Sequence, residues 1–188
     1  HAGTSVPLSS PGSGDSDGQI PLYEWFETGT RIATGPTPTV TLAFGVHTIL
    51  LRTTDDDGGT NDDVVMVNIR DTRAPTVAMV VSPTSLWPPN HTMHVVARGT
   101  SASDVCDPAP ALHFAITSDE PENGLGDGDT APDWAVQTAG ASAADVLVRA
   151  ERSGLGNGRV YTIVATATDR AGNASSAASG TVTVPHNQ

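Results

Sequence analysis

The sequence contains no lysine, and all nine of its basic side chains are arginines. Sixteen aspartates and five glutamates outnumber them, which gives a formal net charge of −12 over 188 residues. A nucleic-acid-binding surface needs clustered basic side chains that neutralise phosphates, and here the arginines are scattered along the chain. We therefore expect no nucleic-acid partner.

Cysteine and long apolar runs are also scarce. Cys106 is the only cysteine, which excludes an internal disulfide and a cysteine-based zinc site. No run of 18 apolar residues is present, so we expect no membrane insertion, and no signal peptide is recognisable. The chain begins with His1 rather than methionine, which indicates a segment of a longer exported protein.

Aromatic residues make up 4% of the chain, so the core must rely on Val, Ala, Ile and Leu rather than on large anchors. The 19 glycines and 14 prolines leave almost no stretch long enough for an ordinary helix. Thr and Val favour strands, whereas Gly, Pro and Asp favour turns. These features predict an all-β protein, and the length allows two sandwiches.

Strand-like runs separated by turn signals recur along the whole chain. A polar stretch at 71–75 separates two series of them and predicts domains at 1–72 and 73–188, the second with a long acidic loop at 119–134. The first series is predicted at 4–8, 20–26, 39–44, 46–54 and 63–70, and the second at 76–82, 92–99, 111–118, 145–150, 159–168 and 180–184.

The first domain carries four motifs in order: Gly14-Asp15-Ser16-Asp17-Gly18, Tyr23-Glu24-Trp25-Phe26, Gly45-Val46-His47-Thr48 and Thr54-Asp55-Asp56-Asp57-Gly58-Gly59. Over residues 4–70 this order resembles the PKD (polycystic kidney disease) domain, an immunoglobulin-like sandwich of secreted and surface proteins. The resemblance implies a tryptophan in the core at Trp25. It also implies a calcium site formed by Asp15, Asp17 and Asp55.

This domain departs from the PKD pattern in two places. The acidic turn after the tryptophan strand is replaced by Glu27-Thr28-Gly29-Thr30. The family's first strand should precede residue 4, and only three residues do. A sandwich without an edge strand exposes unpaired backbone and apolar side chains. The strand is therefore either missing from this segment or supplied by another chain or a neighbouring subunit through donor-strand pairing.

The second domain, through its segments at 71–75, 102–108 and 167–173, resembles the hyalin-repeat (HYR) group of bacterial immunoglobulin-like domains. Hyalin repeats often pair two cysteines, whereas Cys106 has no mate. Both families are structural or binding modules. The two resemblances together imply two tandem immunoglobulin-like β-sandwich domains with no catalytic residues.

The excess of Asp over Glu indicates that most of the acidic residues lie in turns and loops. There a short carboxylate can accept hydrogen bonds from the backbone or bind a hard cation such as Ca²⁺. In the second domain we expect Asp104, Asp107 and Asp169 to meet at one end of the sandwich, close to Asp71, and to bind Ca²⁺. The alternative for this group is solvated aspartates at turns, and the alternative for the first domain is that Asp15 and Asp17 only cap a turn.

The loop at 119–134 is a further candidate calcium site, although it fails the EF-hand pattern because no Glu stands at the required twelfth position. Pairing of its carboxylates with arginines is the alternative. The candidate ligands in this loop are Asn123, Asp127, Asp129 and Asp133. The arginines on neighbouring strands are Arg149, Arg152 and Arg159.

Two tryptophans and two sequons complete the candidate sites. Trp87 and Trp134 can stack on sugar rings if they are exposed, and otherwise they fill the second core. Asn90 and Asn173 begin Asn-X-Thr/Ser sequons, which matter only in a host that glycosylates.

The sequence predicts a non-enzymatic, calcium-stiffened, extracellular module that spaces, adheres or assembles on a bacterial surface, as a repeat or as a subunit of a filament. Its expected partners are neighbouring domains or identical subunits. The alternative is a glycan-binding accessory module of a secreted polysaccharide- or protein-degrading enzyme.

Overall fold

The computed structural model describes residues 3–122 and 131–187. The predicted ligands Asn123, Asp127 and Asp129 lie outside the described residues. The described chain consists of 13 β-strands without helices, which confirms the all-β prediction. Accordingly, it contains no helix with the length and hydropathy that crossing a membrane requires. Two compact units are present, His1–Asp71 and Thr72–Gln188.

The first unit forms two antiparallel sheets from six strands. One sheet pairs β1 with β4, and the other has the order β3-β2-β5-β6. The strands are β1 (Thr4–Pro7), β2 (Leu22–Glu27), β3 (Thr30–Thr34), β4 (Thr39–Leu42), β5 (Gly45–Thr54) and β6 (Thr60–Ile69). The two sheets share one core, formed by Leu8, Trp25, Val40, Leu42, Ile49 and Leu51.

The second unit forms a larger sandwich from seven strands. Its sheets have the orders β10-β11-β8-β7 and β13-β12-β9. The strands are β7 (Thr76–Ala78), β8 (Met93–Ser103), β9 (Ala111–Ser118), β10 (Trp134–Thr138), β11 (Ala143–Arg149), β12 (Gly158–Thr168) and β13 (Ala178–Pro185). Its core consists of Leu86, Val96, Ala97, Val146, Val148, Ala150, Tyr161, Ile163, Val182 and Val184.

The second unit has the strand order of a constant-type immunoglobulin domain. In that topology strands A, B, E and D form one sheet and strands C, F and G form the other. Strands β7 to β13 occupy positions A to G in chain order. Near the start of the F strand, the hydroxyl of Tyr161 donates a 3.0 Å hydrogen bond to the carbonyl of Arg149 at the end of the E strand. This contact ties the start of the F strand to the end of the E strand.

The first unit contains the same central strands with different edges. Strands β1 and β4 form the B–E pair, and β2, β5 and β6 form the C–F–G sheet. Strand β3 extends that sheet beside β2, as the C′ strand does in variable-type domains. Trp25 is 2% exposed in the core, as the resemblance implied.

Two strands were not predicted from the sequence. Strand β3 follows a two-residue hairpin turn in which Thr28 and Gly29 both have positive φ, 47° and 81°. Such turns usually carry Asn-Gly or Asp-Gly, so a threonine in the first position concealed the hairpin. Strand β10 begins at Trp134. The sequence pattern assigns Trp134 to the acidic loop, so this strand was not predicted.

Candidate functional site

The first unit has a groove between the free edges of two strands. Strands β1 and β6 each pair with one neighbour, and no strand among residues 3–71 covers their other edges. The ten-residue pairing of β6 with β5 is unbroken, so the free edge of β6 presents a regular row of backbone groups. We call the groove between these two edges the slot.

The slot has a volume of about 810 Å³. In the β5–β6 pairing Val65 lies opposite Ile49, whose side chain is fully buried, so Val65 faces the interior side of its sheet. Nevertheless, 43% of Val65 is exposed. The inner face of β6 therefore lacks a covering layer within residues 3–71. The apolar side of the slot is formed by Val6, Leu8, Trp25, Leu51, Val65 and Val67.

The second unit fills the equivalent place with its own chain, residues 76–86. Strand β7 begins this segment and pairs antiparallel with β8. Farther along, Ser85 forms a parallel bridge with Thr183 of β13. Thr183 N donates to the carbonyl of Thr84, and Leu86 N donates to the carbonyl of Thr183, both at 2.9 Å. The segment is therefore strand A, which pairs first with strand B and then in parallel with strand G.

The side chains of this segment alternate between the core and solvent. Met79 and Val81 pack against the second core, whereas Val80 between them is 76% exposed. Gly180 of β13 makes room for the segment, because a Cβ atom there would lie 2.5 Å from Val81 Cγ2. Apolar residues at every second position therefore seal this edge of the second sandwich.

One end of the slot is acidic. The carboxylates that line it belong to two loops and to the start of β6. In the β5–β6 pairing Asp63 lies opposite the buried Leu51, so Asp63 also faces the interior side. Arginine is absent from the lining, which is drawn from residues 6–67. The acidic lining residues are Asp15, Asp55, Asp62 and Asp63.

Two of the three predicted calcium ligands of the first unit, Asp15 and Asp55, cap turns. Asp55 Oδ1 accepts hydrogen bonds from the backbone N–H groups of Asp57 at 3.1 Å and Gly59 at 2.6 Å. Asp15 Oδ1 accepts a longer bond, 3.4 Å, from the backbone of Asp17. Among residues 3–71, no three Asp, Glu, His or Cys side chains bring ligand atoms within 4.8 Å of one another.

Asp56, which the sequence did not single out, joins the two acidic loops. Its Oδ1 accepts a 2.9 Å hydrogen bond from Gln19 N, and its own N–H donates to the Gln19 carbonyl at 3.1 Å. A Cβ atom on Gly18 would collide with Asp56 Oδ1 and lie 2.8 Å from Asp15 Oδ2. Glycine at position 18 therefore lets both carboxylates approach the same stretch of backbone. The run of three aspartates at 55–57 gave no sign of which one faces this loop.

In the second unit the loop that carries Asp107 contacts the loop that carries Asp169. Asp107 Oδ2 accepts a 2.9 Å hydrogen bond from the backbone N–H of Arg170. Asp169 accepts two bonds of 2.8 Å from Asn173, one from its backbone and one from its side chain. Burial acts to raise the pKa of Asp169, but the bonds from Asn173 and the adjacent backbone outweigh it, and the pKa is lowered. Asp169 is therefore held as a carboxylate.

The remaining predicted ligands of this group are also placed at turns. Asp104 Oδ1 accepts hydrogen bonds from the backbone of Cys106 at 2.7 Å and of Asp107 at 2.8 Å. Asp71 is a half-buried residue at the end of the first unit. Asp104 and Asp169 therefore accept hydrogen bonds within their own turns, whereas Asp107 also binds the backbone of the loop that carries Arg170.

Asp133 pairs with an arginine in the interior of the second unit. Its Oδ2 lies 2.6 Å from NH1 of Arg159, and both side chains are fully buried. The same NH1 donates to the Tyr161 hydroxyl at 3.0 Å. Burial raises the pKa of Asp133, although Arg159 acts to lower it. Burial also raises the pKa of Tyr161 to about 12, against the opposing effect of Arg159.

Two arginines hold both ends of the acidic loop. Arg159 NH2 donates to the carbonyl of Pro121 at 2.6 Å, and its Nε lies 3.4 Å from Glu120 Oε2. Arg149 donates to the carbonyl of Pro132 from two nitrogens, at 3.1 and 2.9 Å. Arginine pairing, the alternative considered for this loop, is therefore present at both of its ends.

This network leaves some carboxylate oxygens buried without a hydrogen-bond partner among the described residues. They are Glu120 Oε1, Asp133 Oδ1 and Glu151 Oε1. Glu151 is fully buried, and its other oxygen lies 3.0 Å from His91 Nδ1. Such oxygens are costly to bury unless they bind a donor or a cation. Within 72–122 and 131–187, however, no three Asp, Glu, His or Cys ligand atoms lie within 4.8 Å of one another.

The two tryptophans of the second unit differ in environment. Trp134 is half-buried and packs against the core. Trp87 is 42% exposed, beside Pro88. The two indoles therefore do not both stand free in solvent, as a paired sugar platform would require.

The two sequon asparagines also differ. Asn90 is exposed, and its Oδ1 accepts a 2.7 Å hydrogen bond from the Thr92 hydroxyl. Asn173 is half-buried, and its Nδ2, the atom to which a glycan would be attached, donates to Asp169 at 2.8 Å. Attachment of a glycan would replace one of the two hydrogens on this nitrogen.

No family model matches the sequence, and no curated protein matches it. Among solved structures it is similar to the fibronectin(III)-like modules of Clostridium thermocellum CbhA, with 17% identity and a TM-score of 0.36 over 98% of this chain and 87% of that one. It is also similar to the protocadherin gammaB7 EC3-6 cis-dimer structure, with 13% identity and a TM-score of 0.41 over 97% of this chain and 42% of that one. For the protocadherin GammaB4 extracellular domain the identity is 12% and the TM-score is 0.45, over 86% of this chain and 25% of that one. The chain thus spans less than half of either protocadherin chain. The immunoglobulin-like assignment of the second unit rests on its strand order.

Proposed function

We propose that this chain is a non-enzymatic extracellular module of a bacterial surface, which spaces, adheres or assembles proteins. The observation that carries the proposal is the slot of the first unit. A sandwich with an open apolar groove between two free strand edges is suited to binding another polypeptide by strand addition. Backbone hydrogen bonds supply affinity in that mode, and alternate side chains supply specificity.

The expected partner is a neighbouring domain or an identical subunit that donates a strand. Pairing of this kind between subunits, repeated head to tail, gives an open filament rather than a closed ring when the rotation does not close. Light scattering of the full chain over a concentration series tests assembly between identical subunits. Growth of the mean particle mass with concentration is the expected result, and a monomer at every concentration would contradict self-assembly.

Calcium is the proposed cofactor, and the ligands we propose are the loop carboxylates of both units. Ca²⁺ takes six to eight oxygen ligands, and its binding neutralises carboxylates that otherwise repel one another. In the first unit the proposal is supported by Asp15 and Asp56, whose carboxylates both approach the backbone at Gly18. Buried oxygens of Glu120, Asp133 and Glu151 are the corresponding feature of the second unit.

Thermal melting with calcium and with EDTA tests the calcium proposal. A ligand that binds only the folded state raises the free energy of unfolding in proportion to the logarithm of its concentration above Kd. We therefore expect a higher melting midpoint in calcium than in EDTA. An unchanged midpoint would show that the aspartates only cap turns. Magnesium at the same concentration is the control for screening of the net charge.

Glycan binding is the second candidate function, supported by the half-exposed ring of Trp87. A solvated indole can stack on the face of a sugar ring. Binding on a glycan array that is lost in Trp87→Ala, and kept in the core-facing Trp134→Phe, would favour this function over strand-mediated assembly.

A further inference from the structure

We propose that the slot binds an extended segment of a neighbouring polypeptide that runs parallel to β6, with a basic residue toward its N-terminal end and apolar residues at alternate positions. This inference rests on the proposed function and specifies the direction and side-chain pattern of the partner strand. Its basis is the second unit, where a segment of this type occupies the equivalent place.

The direction of the partner strand follows from the pairing in the second unit. There the segment 76–86 forms a parallel bridge with β13, the G strand. Strand β6 is the G strand of the first unit, because it pairs with β5 as β13 pairs with β12. A strand in the slot that reproduces this arrangement runs parallel to β6. Its N-terminal end then lies beside the start of β6.

The alternation follows from the exposure of the inner face of β6. Val65 and Val67 line the slot, and the residue between them, Met66, is 74% exposed on the other face. In the second unit the equivalent surface is covered by Met79 and Val81, with Val80 pointing to solvent. Apolar side chains at every second position of the partner strand would cover Val65 and Val67 in the same way.

The basic residue follows from the charges at the end where β6 begins. Asp62 and Asp63 lie at that end, and Asp15 and Asp55 line the slot beside them. One of these carboxylates, Asp62, already pairs with Arg52 at 2.7 Å. The other three lining carboxylates give this end of the slot a negative potential that favours Arg or Lys on the incoming strand.

The chain contains a probe with this pattern in residues 72–86, where Arg73 precedes Val77, Met79 and Val81. The experiment titrates the full chain with a capped, fluorescent peptide of residues 72–86 and follows anisotropy. We expect saturable binding, weakened at least tenfold by Val65→Asp in the protein. Met66→Asp on the opposite face of β6 is the matched control and should change the affinity less than twofold. Reversal of the peptide sequence and Arg73→Glu in the peptide should each weaken binding.

Hydrogen exchange identifies where the peptide binds and guards against loss of folding in the variants. Peptide binding should protect amides of β6 whose N–H groups face away from β5. Absence of saturable binding, equal affinity for Val65→Asp and wild type, or protection confined to β8 and β13 would each overturn the inference. Self-association that survives Val65→Asp would leave the proposed assembly function standing and reject only the slot as its site. Saturable peptide binding at the slot by a chain that stays monomeric would support the slot inference and contradict self-assembly.

Discussion

The two units share the B–E strand pair and the C–F–G sheet but close their sandwiches differently. In the second unit residues 76–86 cover the edge between B and G, and ten residues form the buried core. In the first unit that edge is the slot, and six residues form the buried core. The difference indicates that the sheets alone do not complete the interior of this fold. A segment beside strand B is needed, and its absence among residues 3–71 turns a structural edge into a candidate binding site.

The units also differ in how they use arginine. Arg159 of the second unit is fully buried and binds Asp133, Tyr161 and the acidic loop. In the first unit Arg52 pairs with Asp62 at the surface, where both side chains are substantially exposed. Exposed pairs contribute little to stability, whereas loss of one partner of a buried pair leaves an uncompensated charge. Stability in the second unit should therefore depend on single charged residues far more than in the first.

The largest effect is expected for Arg159→Met in the second unit. This substitution leaves Asp133 buried without its partner, and the free energy of unfolding should fall by about 3–5 kcal/mol. Chemical denaturation monitored by hydrogen exchange in β12 measures the change. Arg52→Met, at the exposed pair of the first unit, should cost less than about 1 kcal/mol and is the matched control.

A double variant separates the charge from the packing. Arg159→Met with Asp133→Leu removes both buried charges and should recover a large part of the lost stability. A double variant as unstable as the single one would show that the hydrogen bonds of Arg159 to Tyr161 and Pro121, rather than its charge pair, hold this region.

The sequence was sufficient to predict the all-β fold, because strand-forming runs and turn residues alternate throughout. The slot itself required coordinates: the exposure of Val65 depends on which face of β6 it occupies and on what lies opposite. A shift of register by one residue would have placed Met66 there instead.

The roles of the charged residues were harder to predict. Aspartate in a turn can cap backbone N–H groups or bind a cation, and both uses favour the same sequence pattern. The structure shows capping by Asp55 and Asp104. The burial of Arg159 gave no sequence signal beyond its place at the start of a predicted strand. Its importance arises from contacts with Asp133, which is 26 residues away along the chain.

An intermediate effect is expected when the closed edge of the second unit is weakened. Leu86 is 4% exposed and anchors the end of the segment 76–86 in the core. Leu86→Ala should cost about 2–5 kcal/mol by creating a cavity. It should also raise the rate of hydrogen exchange in β13, because the edge of this G strand would then be less well covered, as the edge of β6 is in the first unit. Val80→Ala, at a solvent-facing position of the same segment, should stay within about 0.5 kcal/mol. Equal losses in the two variants would argue against the alternation on which the slot inference depends.

The smallest effect is expected from a histidine of the first unit, and it is a change in pH dependence. His47 Nδ1 lies 2.5 Å from Glu27 Oε1, and Nε2 lies 2.9 Å from the carbonyl of Ala43. The bond to Glu27, followed by that to Ala43, raises the pKa of His47 above its usual value near 6.5. Because the folded state holds the proton more tightly than the unfolded state, this stabilisation is complete below about pH 6.5. It is lost as the pH rises through the raised pKa of the folded state.

The variant His47→Gln should therefore lose this part of the pH dependence. Relative to wild type, its deficit in unfolding free energy should be greatest below about pH 6.5, where His47 is protonated in both states. That deficit should shrink as the pH rises through the folded-state pKa of His47. His113→Gln, at an exposed position of the second unit, is the matched control for the loss of an imidazole. A deficit in His47→Gln that stays constant from pH 5 to pH 9 would mean that the imidazole acts by packing alone. The pH dependence of stability would then not distinguish the two units, because the expected difference depends on a protonated His47 in the first unit.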